Sequence, residues 1–169
     1  MHSEARAGRS DAIAPRPLTE LLECPAPVAA LLNSAAQSMN YEAGDSVFRQ
    51  SGECRGLYLI VSGQFQRRTE RVETRLTLGT ARAGDLLELS AALGDPRHTY
   101  TLVAVTSGSV LMLPVEALER AFAAHPPLRM HLLEELAREV SRAYAACSTA
   151  RISAARRRSP AAGEPIARE

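Results

Sequence analysis

From Met39 to Pro114 the chain consists of short apolar runs, each bounded by Gly, Asp, Ser or Pro. The runs are SVF, GLYLIVSG, RLTLGTARA, TLVAV and SVLMLP. Many short strands joined by turns are typical of a β-sandwich or barrel. In GLYLIVSG apolar residues occupy both alternating sets of positions, so this strand is predicted to be central and buried on both faces. Glycines are predicted at turns that need a positive φ, namely Gly44, Gly52, Gly56, Gly63, Gly79 and Gly84.

Helical patterns flank this β region on both sides. The stretches 18–22 and 28–32 place Leu and Val at the spacing of amphipathic helices, and Pro25 and Pro27 separate them. After the β region, PVEALERAFAAH predicts another short helix with Pro in its first turn. The predicted fold class is mainly β with flanking helices. The predicted organisation is a mobile lead-in over 1–16, a β domain with its helices over 17–125, a long helix over 126–155 and a basic polar tail over 156–169.

The long predicted helix carries a heptad seam. Apolar and small residues alternate at spacings of three and four, and they are Leu133, Leu136, Val140, Ala143, Cys147, Ala150 and Ala154. One interpretation is a single helix that packs on its own β domain. A β domain of this size is too short to cover the whole helix, which favours a partner helix. We therefore predict a near-parallel homodimer through residues 128–154, with Leu133, Leu136 and Val140 at its core.

Composition and charge narrow the class of protein. The formal net charge is +1, which gives no overall electrostatic case for a nucleic-acid or membrane surface. The three cysteines and four histidines include no CxxC and no histidine pair at zinc-site spacing, so we expect free thiols and no metal site. The N-terminus lacks the apolar core of a signal peptide, and no run is long enough to span a membrane. A cytoplasmic protein is expected.

The spacing of turn glycines and core residues in YEAGDSVFRQSGECRGLYLIVSGQFQ is typical of one family. The residues concerned are Gly44, Phe48, Gly52, Tyr58, Ile60 and Gly63. Together with ARAGDLLELSAAL and VLMLPVEALERAFAAHPPLRMHLLEELARE, the stretch resembles the cyclic nucleotide-binding sensor domain of the catabolite activator and fumarate-nitrate regulator (CRP/FNR) family, over residues 18 to 150. The resemblance implies an eight-stranded, jelly-roll-like β-roll (a double-stranded β-helix) with flanking helices. It also implies dimerisation through the long C-terminal helix.

The resemblance further implies a phosphate-binding cassette between Gly84 and Val105. In the family, a short helix begins with Gly-Glu, and an Arg-Ser/Thr-Ala sequence follows it. Backbone N–H groups at the helix start face the anion, the arginine neutralises it, and the glutamate accepts a hydrogen bond from the ribose hydroxyl.

This sequence departs from the family pattern at each of those positions. Counted without a gap from the Gly-Asp turn, the cassette glycine falls on Glu88 and its glutamate on Leu89. Counted back from TLVA, the arginine falls on His98 and the alanine on Tyr100. A carboxylate at 88 repels a phosphate, Leu89 accepts no hydrogen bond, and a histidine carries charge only part of the time at neutral pH. Cyclic AMP or cyclic GMP is therefore not expected as a ligand, and no other cofactor is implied.

Two alternatives stay open for the cassette. A one-residue slip in the loop would bring Arg97 to the anion and restore cyclic nucleotide binding. Alternatively, Glu88 and His98 form an ion pair or bind a different small polar effector, unless Glu88 simply faces solvent and His98 lies on the rim. In the family, a residue pair on the long helix contacts the base, and here it falls on Ala143 and Tyr144. The candidate pocket comprises Leu87, Glu88, Leu89, Ser90, Arg97, His98, Thr99, Tyr100 and Tyr144.

The remaining features concern the seam and the tail. Cys147 either forms an interchain disulfide or, as a cytosolic context favours, packs as a thiol. The cluster Arg156 to Arg158 either contacts nucleic acid or provides favourable charge at the end of a helix. Pro160, Gly163 and Pro165 follow in place of the helix-turn-helix that the family uses on DNA. We therefore expect DNA binding only if a further domain follows residue 169.

Three functions compete at this point. The first is a non-catalytic regulatory sensor that signals through the long helix. The second is a β-barrel enzyme of the cupin type, which needs a His-rich metal set, whereas the β region holds only His98. The third is the effector-binding half of a longer transcription regulator. The sequence favours the first and predicts no catalytic residues.

Overall fold

The computed structural model describes residues 17–71 and 74–158, and two four-stranded antiparallel sheets form the centre of this part of the chain. The strands are β1 (Gln37–Tyr41), β2 (Ser46–Phe48), β3 (Gly56–Ser62), β4 (Gln64–Arg71), β5 (Thr74–Arg82), β6 (Leu86–Leu87), β7 (Thr101–Ala104) and β8 (Gly108–Pro114). One sheet has the order β1-β8-β3-β6 and the other the order β2-β7-β4-β5. The predicted mainly-β class, with a β-roll and flanking helices, is confirmed.

The hydrophobic core of the β-roll is built from both sheets. Tyr58 and Ile60 from the first sheet, and Phe48, Phe65 and Leu102 from the second, are buried in one continuous cluster. The strand β3 pairs with β8 on one side and with β6 on the other, so it is central as predicted. Successive side chains of a strand point to opposite faces. Every second side chain of β3 therefore points away from the β-roll core and can pack against a second layer.

That second layer is made by helices. They are α1 (Leu18–Leu21), α2 (Ala26–Ala35), α3 (Leu89–Leu93), α4 (Val115–Ala124) and α5 (Pro126–Arg158). The helices α2 and α4 contact each other and β8, and α4 also contacts β3. Leu57 and Leu113, both fully buried, supply the apolar surface of these strands outside the β-roll core. Proline precedes or opens α2, α4 and α5, where its fixed φ suits the first turn.

The chain divides into two compact units, and the division differs from the predicted boundary at 125. The first unit ends at Leu133 and the second begins at Glu134. Leu128 and Leu132 are buried, so the first two turns of α5 belong to the first unit. The helix also continues to Arg158, beyond the predicted end at 155.

The seam of α5 is described only in part. Leu133 is 37% exposed, Val140 is 59% exposed and Ala143 is exposed, while Leu136 is half-buried. The side chains of Cys147, Ala150 and Ala154 lie outside the described residues, as do those of Arg156 to Arg158. Among the described residues, no helix has both the length and the apolar character that a membrane span requires.

The prediction of positive φ was wrong for two of the six glycines. Gly44, Gly63, Gly79 and Gly84 do adopt a positive φ, whereas Gly52 and Gly56 do not. At Gly56 the requirement is space, because a Cβ there would collide with the backbone of Leu113 on β8. Glycine at this position lets the two central strands of the sheet pack closely.

Candidate functional site

A Gly-Asp turn fixes the start of the cassette against the central sheet. Gly84 has φ +93, and its N–H donates to the carbonyl of Ile60 at 2.9 Å. The N–H of Ile60 in turn donates to the carbonyl of Asp85 at 3.1 Å. The Asp85 carboxylate accepts from the N–H of Arg82 at 2.8 Å. These bonds set the position of β6 and of the helix α3 that follows it.

Glu88 lies immediately before α3 in the left-handed conformation, with φ 67 and ψ 31. A residue with a Cβ adopts this conformation at a cost of roughly 1–2 kcal/mol, whereas glycine adopts it freely. The conformation therefore agrees with the register in which Glu88 stands where the family has glycine. The Glu88 side chain is 0% exposed, so its carboxyl group lies inside the protein.

His98 is turned inward by backbone pairing with the loop before β3. Its N–H donates to the carbonyl of Gly52 at 2.9 Å, and its carbonyl accepts from the N–H of Ser51 at 2.8 Å. The imidazole is 4% exposed and stacks on Phe48, and its Nδ1 lies 3.4 Å from Oε2 of Glu88. The alternative in which Glu88 faces solvent and His98 lies on the rim is therefore wrong.

Arg97 lies on the other side of the same segment. It is exposed, and its Nη1 donates to the carbonyl of Ser51 at 3.1 Å. It also forms an isolated antiparallel bridge with Glu53. The neighbouring His98 is buried, so the two side chains point in opposite directions, and the guanidinium does not enter the interior beside Glu88.

Cys54 completes a cluster that the sequence analysis did not anticipate. Its N–H donates to the carbonyl of Pro96 at 2.9 Å, and its Sγ donates to the carbonyl of Gly56 at 3.1 Å. Ligand atoms of Cys54, Glu88 and His98 all lie within 4.8 Å of one another, and all three residues are buried. No short-range spacing connects these residues. Pairing of the loop at 51–54 with the loop at 96–98 brings Cys54 and His98 together.

Burial favours the neutral forms of His98 and Cys54. It lowers the pKa of His98 from its ordinary value. It also raises the pKa of the Cys54 thiol, while the hydrogen bond to Gly56 lowers that pKa by less and the nearby Glu88 carboxylate raises it by less still. Burial is also the main reason why the pKa of Tyr58, whose ring lies 5.8 Å from that of His98, rises to about 12.

The structure brings together part of the predicted pocket. Leu87 and Leu89 are buried. Tyr100 is also buried, and its ring lies 5.6 Å from that of Phe48. The Arg67 guanidinium lies 5.8 Å from the centroid of Tyr100, a contact that the sequence analysis missed. Where the family has the small alanine, the phenol therefore fills space.

The other predicted pocket residues are on the surface. Ser90 is exposed, and Thr99 is exposed but its Oγ1 donates to Oε1 of Glu88 at 3.5 Å. Tyr144 belongs to the second compact unit and is 76% exposed. The buried part of the predicted pocket is thus Leu87, Glu88, Leu89, His98 and Tyr100, with Cys54 and Phe48 added by the structure.

Several solved structures share this fold. The catabolite activator protein of Thermus thermophilus is 23% identical with a TM-score of 0.68, and the match covers 79% of this chain and 62% of that one. The sensor domain of the transcriptional regulator DNR from Pseudomonas aeruginosa is 21% identical with a TM-score of 0.65, covering 75% and 85%. The N-terminal domain of a transcriptional regulator from Streptomyces coelicolor A3(2) is 21% identical with a TM-score of 0.60, covering 81% and 95%. This chain therefore spans less than two thirds of the Thermus protein but most of the two separate domains.

Comparison at the level of sequence families gives the assignment. No curated protein matches the sequence. The family model described as the cyclic nucleotide-binding domain matches residues 38–125, which is just over half of the chain. The match includes the Gly-Asp turn, α3 and the segment from Arg97 to Val105. With the β-roll fold and this match together, the chain belongs to the cyclic nucleotide-binding domain family.

Proposed function

We propose that this chain is a non-catalytic regulatory sensor of the CRP/FNR type whose cassette no longer binds cyclic nucleotides. The observation that carries the proposal is the buried carboxyl group of Glu88 at the start of α3, 3.4 Å from His98. The regulatory role is supported by the similar structures, two of which are domains of transcriptional regulators.

Electrostatics argue against a cyclic phosphate in this pocket. Two like unit charges 4 Å apart repel by about 4 kcal/mol at an effective dielectric constant of 20. A phosphate bound at the start of α3 would meet this repulsion from Glu88 in its ionised form. Arg97, the arginine that a slipped register would bring to the anion, is exposed and donates to Ser51 instead.

The shape of the pocket and the loss of a hydrogen-bond acceptor at position 89 also oppose the binding of a cyclic nucleotide. Leu89 stands where the family's glutamate accepts from the ribose, and its buried side chain offers no acceptor. Tyr100 is buried against Phe48, where the family's alanine leaves room for ligand. Each charge-assisted hydrogen bond lost costs about 1.5–3 kcal/mol. Two such losses weaken a micromolar site to roughly millimolar or beyond.

A catalytic use of the cluster is poorly supported. Cys54, His98 and Glu88 are the residue types of a nucleophile, a base and an orienting carboxylate. The Cys54 thiol, however, is buried, donates to the carbonyl of Gly56, and has a raised pKa, so it stays protonated. A protonated, inaccessible thiol is a poor nucleophile. This supports a regulatory role over a hydrolase, and the cupin alternative lacks a second histidine in the β region.

The proposal includes signalling through α5 in a homodimer. The exposed side chains of Leu133 and Val140 offer apolar surface to a second helix. Rotation of a helix pair is one way in which such a sensor transmits a ligand signal. The proposed location is the cytoplasm, and reading of DNA would require a further domain.

A thermal-shift titration with cyclic AMP and cyclic GMP tests the proposal. We expect no shift up to about 100 micromolar nucleotide, since a site of millimolar affinity is only about one-tenth occupied there. Saturable stabilisation at micromolar concentration would contradict the proposal. The variants Arg97→Ala and His98→Ala would then show which residue binds the phosphate. Loss of binding in Arg97→Ala alone would support the slipped register.

A further inference from the structure

Three buried side chains of different chemistry converge at the cassette. Cys54 comes from the loop before β3, Glu88 from the start of α3, and His98 from the loop before β7. Their sulfur, oxygen and nitrogen ligand atoms lie within 4.8 Å of one another. Thiolate, carboxylate and imidazole are the ligands that Zn²⁺ uses in proteins.

The separation of two of these atoms matches that of two ligands of one metal ion. Nδ1 of His98 and Oε2 of Glu88 are 3.4 Å apart. Hydrogen bonds between charged nitrogen and oxygen groups are shorter, at about 2.7–2.9 Å. Two ligands held at about 2.0–2.1 Å from a tetrahedral ion are roughly 3.3–3.4 Å apart. The observed spacing therefore already equals one edge of a tetrahedral coordination sphere.

A divalent cation would also change the state of the Cys54 thiol, because the thiolate and not the thiol is the metal ligand. Binding of the cation releases the thiol proton of Cys54 to solvent, so that the sulfur becomes a ligand.

We propose that Cys54, Glu88 and His98 form a binding site for a thiophilic divalent transition-metal ion of the Zn²⁺ class. The ion would take the place that the phosphate has in the family, with the fourth coordination position left for water or another ligand. The inference deepens the proposed function, on which it rests, by naming the chemical class of the effector. Binding would join the loop before β3, the start of α3 and the loop before β7 through one centre.

A surface pair on the same chain provides the matched control. His131 Nδ1 and Glu23 Oε2 are also 3.4 Å apart, but the Glu23 side chain is 71% exposed. Among the described residues, only the Cys54 cluster brings three such ligands together. The same histidine–carboxylate distance therefore occurs in the buried cluster with its third ligand and in a surface pair without one.

The test is a Co²⁺ titration of the reduced, chelator-treated chain of residues 1–169, followed by Zn²⁺ displacement. We expect one Co²⁺ per chain, with a thiolate-to-cobalt charge-transfer band and the intense visible bands of tetrahedral cobalt. Cys54→Ser should abolish the charge-transfer band. Glu88→Gln and His98→Asn should weaken binding at least about 10- to 100-fold, the loss that even an outer hydrogen-bond partner causes. His131→Ala and Cys24→Ser should leave the titration unchanged.

A second readout on the wild type guards against variants that fail to fold. X-ray absorption of the Zn²⁺-loaded wild type should show one sulfur at about 2.3 Å and nitrogen or oxygen ligands at about 2.0–2.1 Å from the ion. Absence of metal binding, or a charge-transfer band that survives in folded Cys54→Ser, would overturn this inference. If cyclic nucleotides also fail to bind, the proposed function survives that outcome. Cyclic nucleotide binding would overturn the proposed function whatever the metal result.

Discussion

The imidazole of His98 lies flat on the phenyl ring of Phe48, with the ring centroids 4.0 Å apart and the planes 4° from parallel. Phe48 ends β2, which pairs with β7, and His98 lies just before β7. The ring of Phe48 also contacts those of Tyr58 and Tyr100. One aromatic side chain thus connects the hydrophobic core of the β-roll to the polar cluster and fixes the plane of the imidazole.

Phe48→Ala tests how much the stacked Phe48 ring contributes to the stability of the protein. Removal of a buried phenyl group leaves a cavity and costs about 3–5 kcal/mol of unfolding free energy. Urea unfolding of the purified protein measures the loss. Leu78→Ala, at a residue that is 54% exposed, is the control and should change stability by less than about 0.5 kcal/mol. Equal losses in the two variants would mean that Phe48 is not a core residue.

Glu88→Gly and Glu88→Ala together isolate the backbone strain at the start of α3. Both variants remove the carboxylate, but only alanine still places a Cβ in the left-handed conformation seen at φ 67. Glycine loses some of this advantage through the greater freedom of its unfolded chain. We therefore expect Glu88→Gly to be more stable than Glu88→Ala by about 1 kcal/mol of unfolding free energy. Equal stability in urea unfolding would indicate that position 88 is not held left-handed in solution.

Leu136→Asp tests the predicted homodimer. A carboxylate buried without a partner costs several kcal/mol, so the substitution should dissociate the dimer. Sedimentation velocity at micromolar concentration measures the oligomeric state. Ala137→Asp places the same charge one position away from the seam, on an exposed residue, and should leave the dimer intact. A monomeric wild type would show that the seam has another role.

DNA binding by this chain alone should be weak and insensitive to sequence. The cluster Arg156 to Arg158 offers phosphate contacts, which position a protein on DNA but do not read bases. Affinity should fall steeply with salt, as expected for counterion release. Fluorescence anisotropy on unrelated duplexes at two salt concentrations measures both properties. Sequence-selective binding that survives deletion of residues 155–169 would contradict this prediction.

The fold was largely predictable because its strands are marked by glycine and by apolar runs. GLYLIVSG predicted the central strand β3, Pro114 predicted the start of α4, and Pro126 and Pro127 predicted the start of α5. The strand β4, QFQRRTER, was not predicted, since Phe65 is its only large apolar residue and polar side chains fill the rest. Its place is set by pairing with β5 and β7, which no local pattern shows.

The sequence predicted which positions of the candidate site differ from the family, but it did not predict how their side chains interact. Counting from the Gly-Asp turn identified Glu88 and His98 as the altered positions. Whether they lie inside or at the rim depends on the pairing of Ser51 and Gly52 with His98, which is a long-range contact. The approach of Cys54 depends on the same pairing, so the three-residue cluster had no sequence signature.

We propose that substitutions in the cassette abolished cyclic nucleotide binding while its fold was kept. Isothermal titration calorimetry with cyclic AMP, on the wild type and on the quadruple variant Glu88→Gly/Leu89→Glu/His98→Arg/Tyr100→Ala, tests this proposal. We predict no saturable binding by the wild type. The quadruple variant should regain binding by about 10²- to 10⁴-fold, as two restored charge-assisted hydrogen bonds of about 1.5–3 kcal/mol each would give. Saturable binding by the wild type below about 50 micromolar would contradict this proposal.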